Sequence, residues 1–487
     1  MQSISNLALE TFARSPAGKR RQLAPMNDVH ARLNAATPAL YRCPESLAGL
    51  CAALEQARRR RLAVSIVGGR HAMGGQQFLE GGLALDMRAM NRILDFDPAE
   101  GMIVVEAGVT WPELMRGYLS RQSGHPRQWG IRQKQTGADS LTIGGAIAAN
   151  IHGRGLTYPP FSTDVEWLQL LLADGQLVTC SREQNAELFS LVVGGYGLFG
   201  IVVNVGLRLV RRQKVERVVE LLDLPSLQEA FEQRIRTGYT YGDFQFATDP
   251  DSPGFLNDGV FSCYRPVENA RPIPRNQLRL GQAEWRRLMY LAHVNKRQAF
   301  MEFTDFYLRS SGQLYWNDTH QLNIYLDDYH VRLDQHLGAQ VPGTEMIAEL
   351  YVPRQHLTGF MAAVREDFLR YDVDLIYGTI RLIRKDEDAF LAWAKDDYAC
   401  VIFNLHVDHH ASGIARARRN FQRLIDRAID FDGNYFLTYH RFARRDQLLK
   451  CYPELPEFLR RKQALDPDER FASDWYRHQV TLLSDLL

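Results

Sequence analysis

The chain has 487 residues, 45% of them hydrophobic and 24% charged, which is the composition of a globular protein long enough for two domains. Because 58 Lys and Arg residues nearly balance 57 Asp and Glu residues, the net charge of +1 argues against a nucleic acid partner or an anionic membrane surface. No run of about eighteen apolar residues predicts a membrane span. Six scattered cysteines without a CxxC spacing argue against a zinc site or a disulfide framework, so we expect a protein of the reducing cytoplasm.

The first half of the chain predicts alternating helices and strands after a polar arm, residues 1–36, which is expected to lie on the surface. The predicted elements are a helix from Ser46, strands at residues 62–67 and 83–87, a hairpin at residues 93–108 and a helix at residues 111–121. A second block of strands and one helix follows between residues 167 and 210, with a tight turn at Asp174-Gly175. The fold class predicted from this order is α+β.

Two glycine-rich stretches, SIVGGRHAMGG at residues 65–75 and LTIGGAIAANIHGRG at residues 141–155, predict ligand-binding turns. In both, an apolar β-like run ends in paired glycines, whose missing Cβ lets backbone N–H groups approach the oxygens of a pyrophosphate. A histidine follows each turn, His71 in the first and His152 in the second. Tight turns between strands of a sheet are the simpler alternative.

A third glycine pattern, residues 195–200, satisfies GxGxxG but does not predict a dinucleotide site of the Rossmann type. That fingerprint requires a strand, the glycines and then a helix, so that the helix N-terminus meets the phosphate. Here the predicted order is helix, glycines, strand, and we therefore exclude a classical NAD site.

The two glycine turns resemble those of the FAD-binding PCMH-type family, also called the vanillyl-alcohol oxidase superfamily. GGRHAM, residues 68–73, is similar to the alditol-oxidase turn, and IGGAIAANIHG, residues 143–153, is similar to the second flavin loop of the decaprenylphosphoryl-ribose oxidases. The likeness continues through residues 164–202 and returns at residues 452–475. The resemblance implies an FAD-binding domain at residues 37–212, a cap or substrate domain at residues 213–430 and a C-terminal segment, residues 431–487, that packs back on the FAD domain.

The resemblance implies FAD as the cofactor and a set of residues that bind it. These are Gly68, Gly69, Arg70, His71, Ala72, Met73, Gly74, Gly75, Gly137, Thr142, Ile143, Gly144, Gly145, Asn150, His152, Gly153, Arg154, Gly155, Gly200 and Ile201. In the alditol-oxidase turn the histidine carries the flavin covalently, so His71 is expected either to bond the flavin through its imidazole or to contact it by a hydrogen bond. Ala72 and Met73 depart from the Ser and the aromatic residue that usually follow it.

Three strand-like segments of the second half, residues 345–353, 374–383 and 400–407, alternate well enough to form one antiparallel sheet. A helix is predicted between the first two, at residues 355–369. The resemblance implies that this sheet belongs to the cap and lies over the flavin ring.

Five residues are candidates for the substrate side of the site. Glu349 in AELYVPR is similar to an acid of aldonolactone oxidases, whereas Arg381 and Cys400 match a basic residue and a cysteine of the ribose-oxidase branch. The lysine that both branches use near the flavin falls on Tyr439, followed by His440, which puts the family mechanism in doubt. A Tyr439 and His440 pair is a candidate proton acceptor, with a core tyrosine and an ordinary histidine as the alternative.

Histidines and an aspartate at residues 406, 408, 409 and 410 suggest a metal site only superficially. Adjacent residues of a strand point to opposite faces, so we expect no metal.

The predicted function is oxidation of a CH–OH group of a sugar-like, polyol-like or aromatic alcohol substrate by hydride transfer to flavin N5, with dioxygen or another electron acceptor. The alternatives are a flavin-dependent C=C reductase and a non-catalytic electron-transfer flavoprotein, and the sequence does not indicate the oligomeric state.

Overall fold

The computed structural model describes residues 23–323, 326 and 329–487. It has the mixed helix and sheet architecture expected for the α+β class, with two sheets in an N-terminal domain and one large antiparallel sheet in the cap domain. Residues 1–22 of the predicted arm lie outside the described residues. Residues 23–36 are described, and they differ from the expectation of a surface arm.

Residues 26–36 form a buried turn between the two domains. Ala31 is fully buried and its carbonyl oxygen accepts a hydrogen bond from Thr344 of the cap, at 2.8 Å. The Asp28 carboxylate accepts the backbone N–H groups of His30 and Arg32, which closes the turn. The polar composition of this segment predicts a surface position. The prediction is wrong for residues 23–36 because the buried polar groups of the segment form hydrogen bonds with each other.

A small parallel sheet opens the N-terminal domain. Its strands are β1 (Leu40–Arg42), β2 (Val64–Val67) and β3 (Leu83–Asp86), in the order β1-β3-β2, and the helix between the first two is α1 (Leu47–Arg60). Ser46 caps α1, because its side chain accepts the N–H of Gly49, and the exposed basic residues of the last turn face the negative end of the helix.

The second sheet of this domain is antiparallel, with the strand order β4-β5-β9-β7-β8. Its elements are β4 (Ile93–Asp97), β5 (Met102–Glu106), α2 (Trp111–Arg121), β6 (Trp129–Gly130), α3 (Ile143–Ala149), β7 (Val165–Leu171), β8 (Leu177–Ser181), α4 (Ala186–Val192), β9 (Ile201–Arg208) and β10 (Val210–Arg211). The short strands β6 and β10 pair with each other. Helix α2 spans the predicted residues, since Thr110 and Glu113 form a capping box at its start.

The cap domain is built on an eight-stranded antiparallel sheet with the order β14-β11-β13-β12-β16-β17-β15-β18. Its strands are β11 (Lys214–Asp223), β12 (Tyr241–Phe246), β13 (Asp258–Val267), β14 (Leu314–Trp316), β15 (Gly343–Pro353), β16 (Leu375–Ile383), β17 (Tyr398–Asp408) and β18 (Asn434–Tyr435). The three strands predicted from the sequence, β15, β16 and β17, are adjacent in this sheet.

Helices cover the cap sheet and close the chain. They are α5 (Leu224–Arg236), α6 (Gln282–Val294), α7 (Lys296–Arg309), α8 (Tyr329–Leu337), α9 (Leu357–Arg370), α10 (Ala411–Asp430), α11 (Arg445–Cys451), α12 (Leu455–Leu465) and α13 (Asp474–Leu482). Helix α10 buries an apolar stripe that includes Phe421, Leu424 and Ile425 on the outer face of β15 and β17. Burial of each such side chain contributes about 1.5–3 kcal/mol.

The C-terminal segment touches both domains. Phe471 forms a parallel bridge with Val64 of β2, and the N–H of Asp474 donates to the carbonyl of Phe78 in the N-terminal domain. The same segment also supplies β18, which pairs with β15 at the edge of the cap sheet. It therefore joins the two sheets rather than packing on the N-terminal domain alone.

The inner face of the cap sheet is set by strand alternation and register. On β15 the odd-numbered residues Glu345, Ile347 and Glu349 share one face, because successive side chains of a strand point to opposite sides. The register places Glu345 opposite His406 and Glu349 opposite Ile402 on β17. Two carboxylates therefore lie on the same inner face, four residues or about 13 Å apart.

Candidate active site

A cavity of about 520 Å³ lies between the glycine loops of the N-terminal domain and the inner face of the cap sheet. Residues 68–73 line one wall, and Tyr377, Thr379 and Arg381 of β16 line another. Trp285 of α6 and Phe300 of α7 border it from the cap helices. A volume of this size, with mixed apolar and polar walls, is typical of a small-molecule site.

The first glycine loop is pressed against the second. A Cβ at Gly68 would overlap the Thr142 side chain, and a Cβ at Gly69 would overlap the carbonyl oxygen of Ser140. Arg70 has a left-handed φ of 60°, which is uncommon for a residue with a side chain and is concentrated at ligand sites. The close approach of the two loops explains the need for glycine at both positions.

The second glycine pair lies in a helix rather than at the end of a strand, which corrects the sequence prediction. Helix α3 begins after Thr142, whose side chain accepts the N–H of Gly145 as an N-cap. Gly144 and Gly145 occupy its first turn and line the cavity. A short apolar run fits a strand or a buried helix equally well, so the local pattern could not decide between them.

The predicted cofactor residues divide into two groups. Those that line the cavity are Gly68, Gly69, Arg70, His71, Ala72, Met73, Gly137, Thr142, Gly144, Gly145 and Gly200. Those that the structure does not bring to its lining are Gly74, Gly75, Ile143, Asn150, His152, Gly153, Arg154, Gly155 and Ile201. Gly74 instead packs against the backbone of Tyr439, and Ile143 is a fully buried core residue.

Residues 150–155 connect the two domains. The Asn150 side chain donates to the Asp386 carboxylate at 2.8 Å, and the indole N–H of Trp393 donates to the Asn150 carbonyl at 3.0 Å. Arg154 donates to the carbonyl of His320 at 3.1 Å. These bonds hold the cap against the stretch, whose Ile151 also lines the cavity, and its role in cofactor binding stays a prediction.

Unsatisfied buried acceptors on the N-terminal side of the cavity fit a ligand with N–H groups. Gln77 Oε1 and Gln135 Oε1 are buried without a hydrogen-bond partner among the described residues, and both side chains line the cavity. Because an unpaired buried acceptor costs about 1–3 kcal/mol, such atoms mark positions where a ligand is expected to bind. The glycine loops and these acceptors together fit a flavin dinucleotide.

His71 meets a histidine that the sequence did not single out. His30 Nε2 lies 2.9 Å from His71 Nδ1, a distance that requires one nitrogen to donate and the other to accept. Burial lowers the pKa of His30 to about 4 and lowers that of His71 well below its usual value, the latter with a further contribution from the neighbouring His30. Both imidazoles are therefore neutral at physiological pH.

A second polar cluster lies under the cap sheet and is centred on Glu349. Glu349 Oε1 lies 2.5 Å from His152 Nε2 and accepts the hydroxyl hydrogen of Tyr351 at 2.5 Å. Glu349 Oε2 accepts the hydroxyl hydrogen of Tyr439 at 2.7 Å. The Cys400 thiol lies 3.4 Å from Glu349 Oε1. Four of the predicted site residues, one from the glycine loop, two from the cap sheet and one from the C-terminal segment, therefore meet in one place.

The electrostatics of the cluster follow from its burial and its hydrogen bonds. Burial alone would raise the pKa of Glu349, but the charge of His152 and the hydrogen bonds from His152, Tyr351 and Tyr439 outweigh it and lower that pKa to about 2. Burial, with the Glu349 charge, raises the pKa of Tyr439 well above its usual value. Tyr439 therefore keeps its hydrogen and donates it to an ionised Glu349.

Arg381 is a positively charged residue of the cap sheet that lines the cavity. Its side chain is only 4% exposed, and its Nε and Nη1 have no hydrogen-bond partner among the described residues. The nearby acceptor or donor atoms Gln245 Oε1 and Thr379 Oγ1 are also buried and unsatisfied, and both residues line the cavity. These unpaired groups mark a polar subsite on the cap side.

Three of the five predicted substrate-side residues, Glu349, His440 and Cys400, lie away from the cavity lining. His440 stacks on Phe442, with ring centroids 5.2 Å apart, and its Nε2 is buried without a partner among the described residues. It does not pair with the Tyr439 hydroxyl, because neighbouring side chains point in different directions here. Cys400 is fully buried behind Glu349, and burial raises the pKa of its thiol well above the usual range.

Several residues of the site were missed by sequence reasoning. Tyr351 and Tyr377 lie on the strands that were predicted, and strand alternation counted from Glu349 and Arg381 would have placed them on the inner face. His30 and the aromatic residues of α6 and α7 carry no local signal, since only the tertiary fold brings them to the cavity.

Comparison with known proteins connects this geometry to flavoproteins. The family described as FAD binding domain matches residues 38–181. An uncharacterized oxidoreductase of the fasciation locus of Rhodococcoides fascians is 31% identical over 195 residues, which cover 40% of this chain and 42% of that protein. L-gulonolactone oxidase of Mus musculus is 30% identical over 177 residues, which cover 36% of this chain and 38% of that protein.

A longer match extends into the cap. Decaprenylphosphoryl-beta-D-ribose oxidase of Mycolicibacterium smegmatis is 23% identical over 408 residues, which cover 82% of this chain and 85% of that protein. By contrast, the chain spans about two fifths of the length of the first two relatives. Within the described part of the chain, every helix is too short or too polar to cross a membrane.

Proposed function

Because the chain belongs to the FAD-binding PCMH-type superfamily of oxidoreductases, we propose that it oxidises a CH–OH group of a small molecule held between its FAD and the cap sheet. The observation that carries this proposal is Tyr439, a residue of the cavity lining whose hydroxyl donates to the buried Glu349 carboxylate. An alcohol that is oxidised must lose a proton as well as a hydride, and this pair offers the proton a path.

FAD, when bound, supplies the acceptor for the hydride and its two electrons. Tyr439 receives the hydroxyl hydrogen of the substrate while its own hydrogen moves toward Glu349 Oε2, 2.7 Å away. A free tyrosinate is not needed, since the raised pKa of Tyr439 keeps it protonated between turnovers. His152 Nε2 lies 2.5 Å from the other oxygen of Glu349 and helps to hold the carboxylate in place. Tyr439 is thus the catalytic residue, and Glu349 is a positioning residue that acts through it.

The substrate that fits this cavity has a polar end and an apolar body. We assign the polar end, a hydroxylated group with an anionic or strongly accepting atom, to the unpaired N–H groups of Arg381. The apolar body packs against Trp285, Phe300 and Phe303 of α6 and α7. A sugar-like, polyol-like or aromatic alcohol carrying such a group meets both requirements.

The coverage of the cavity argues against the electron-delivery alternative. A flavoprotein that passes electrons to a partner needs an open flavin edge, whereas here α6 and α7 border the cavity over the cap sheet. We propose a small-molecule substrate and a cytoplasmic location, with dioxygen or another acceptor regenerating the oxidised enzyme. The C=C reductase alternative would leave Tyr439 as a proton donor, and the experiment below distinguishes the two directions.

The experiment follows loss of the visible flavin absorbance when the FAD-loaded protein is mixed anaerobically with a panel of aldoses, polyols, acidic sugars and benzylic alcohols. With a substrate that reduces the unmutated protein, Tyr439→Phe is expected to slow reduction by about 10²–10⁴-fold, the usual effect of losing acid–base catalysis. Tyr351→Phe is the matched control, because Tyr351 also donates to Glu349 but does not line the cavity. Equal rates in the Tyr439→Phe and Tyr351→Phe variants would refute the role of Tyr439.

A further inference from the structure

Three residues from separate parts of the cap domain converge beside the cavity. His293 of α6, Glu345 of β15 and His406 of β17 each offer one ligand atom, and these atoms lie within 4.8 Å of one another. His293 Nε2 is 3.0 Å from Glu345 Oε1, and His406 Nδ1 is 3.9 Å from the same oxygen. The two strand residues face each other because Glu345 and His406 are register partners.

The opposite nitrogens of both histidines are held by oxygen atoms. His293 Nδ1 donates to the Met289 carbonyl at 2.8 Å, which assigns its hydrogen to Nδ1. His406 Nε2 lies 3.5 Å from the Asp408 carboxylate. As a result, Nε2 of His293 and Nδ1 of His406 are the nitrogens that face Glu345. This is the arrangement in which outer carboxylate or carbonyl groups orient metal-binding imidazoles.

Two atoms of the cluster lack a partner. Glu345 Oε2 and His406 Nδ1 are buried without a hydrogen bond among the described residues. The side chains of His293 and Glu345 are 5% and 9% exposed, so water does not satisfy them freely. A buried carboxylate beside two imidazole nitrogens needs a positive charge, which either protons or a metal ion can supply, and Asp374 and Asp408 nearby add further negative potential.

We propose that His293, Glu345 and His406 bind a divalent transition-metal ion, with the ligand set of two imidazoles and one carboxylate that suits Zn²⁺. Three protein ligands leave one coordination position for water or for a substrate oxygen. Glu345 borders the cavity, so this position is next to the bound substrate. The ion also fixes α6 to the cap sheet, since one ligand comes from the helix and two come from the strands.

The stretch at residues 406–410 alone predicts no metal site, because adjacent residues of a strand point to opposite faces. His406 does lie in the stretch that was considered, but its partners come from positions 293 and 345, so no spacing motif exists. His409, in the same stretch, has a different partner: its Nε2 lies 2.8 Å from the hydroxyl oxygen of Thr344. The proposed site is independent of the oxidation chemistry, and either proposal stands if the other fails.

The test is a titration of the chelator-treated, FAD-loaded protein with Zn²⁺ in competition with a chromogenic chelator, accompanied by the visible spectrum of the Co²⁺ form. We expect one equivalent to bind, with affinity reduced at least about tenfold in His293→Gln and in Glu345→Gln. His409→Gln is the matched control and is expected to bind as the unmutated protein does. The flavin spectrum of each variant reports that it is folded.

Two results would overturn the proposal. One is the absence of stoichiometric Zn²⁺ binding by the unmutated protein, which would identify the cluster as an ion pair of Glu345 with protonated histidines. The other is binding that is unchanged in His293→Gln and Glu345→Gln, which would place the ion elsewhere.

Discussion

Glu349 is a single carboxylate that accepts hydrogen bonds from both domains and from the C-terminal segment. Its partners His152, Tyr351 and Tyr439 lie 197, 2 and 90 residues away in the sequence. The resemblance implies a lysine at the position of Tyr439, whereas this chain has a tyrosine there. His152 of the N-terminal domain approaches Glu349 instead, with Nε2 2.5 Å from Oε1.

At His71 we expect covalent attachment of the flavin, and His30 is expected to assist it. A bond from the His71 imidazole to the flavin methyl carbon would replace one N–H and one C–H bond, and the two electrons released would pass to the flavin and then to its electron acceptor. His30 Nε2, 2.9 Å from His71 Nδ1, would accept the imidazole hydrogen. The unmutated protein should keep its yellow colour in the acid precipitate. His71→Ala should release all of the FAD, and His30→Gln should slow attachment by roughly tenfold or more.

The measurement is the absorbance of the supernatant and the pellet after acid precipitation, at several times after FAD is added to the apoprotein. Complete release from the unmutated protein would mean that His71 only contacts the cofactor. Unchanged attachment in His30→Gln would remove His30 from the process.

Arg381→Met is expected to weaken substrate binding without loss of FAD. The guanidinium has two unpaired N–H positions facing the cavity, and a hydrogen bond to a charged group contributes about 1.5–3 kcal/mol. KM should therefore rise by roughly 10–100-fold, with a smaller change in kcat. Arg384→Met is the control, because Arg384 is more exposed and pairs with Asp397 outside the cavity. A KM that is equal in both variants would contradict the assignment.

At the scale of elements, the hairpin of α6 and α7 forms part of the cavity wall. A few polar contacts anchor it to the cap sheet. Lys296 at the start of α7 donates to the carbonyls of Ala292 and Leu375 and to the Asp374 carboxylate. These bonds fix the helix junction to β16. His293 contacts Glu345 one turn earlier.

Lys296→Met is expected to loosen the hairpin and to increase cleavage between residues 282 and 309 in limited proteolysis. The substitution leaves two carbonyls and one carboxylate without their shared donor, while the apolar stem is retained. Arg287→Met is the matched control, since Arg287 pairs with Glu302 within the hairpin at an exposed position. Equal cleavage rates in the two variants would show that Lys296 does not anchor the hairpin.

The elements that were predicted correctly are those specified locally. Helix α2 follows from the Thr110 and Glu113 box, and β15, β16 and β17 follow from their alternation. The glycine loops, Glu349 and Tyr439 were found through family likeness. The error at α3 arose because a short apolar run before glycines has no decisive period. His30 and the residues of α6 could not be predicted, since their roles depend on contacts made across the whole fold.

At the scale of the whole molecule, buried neutral histidines make stability sensitive to acid. Burial lowers the pKa of His440 from 6.5 to about 4. As the pH falls below 6.5, the unfolded chain binds this proton before the folded protein does, so the folded state loses stability until the pH reaches about 4. The loss from this one residue amounts to about 3 kcal/mol.

His440→Phe is expected to remove that part of the acid sensitivity and to keep the ring stacking with Phe442. The measurement is the midpoint of chemical unfolding of the FAD-loaded protein at pH 7 and at pH 4.5. The variant should lose less stability between these two values than the unmutated protein. His125→Phe, at an exposed position, serves as the control. An identical acid-induced loss in His440→Phe and in the unmutated protein would contradict the role assigned to burial.

The contact between β2 and the C-terminal segment determines when the N-terminal domain can finish folding during synthesis. Arg470 donates to the carbonyl of Leu62, 408 residues earlier in the chain, and Phe471 bridges Val64 beside the first glycine loop. At a translation rate of about 5–20 residues per second, the ribosome needs roughly 20–80 s to produce this partner after β2 has emerged. The contacts beside the first glycine loop therefore cannot form until most of the polypeptide has been synthesised. We expect the cofactor to bind after translation rather than during it.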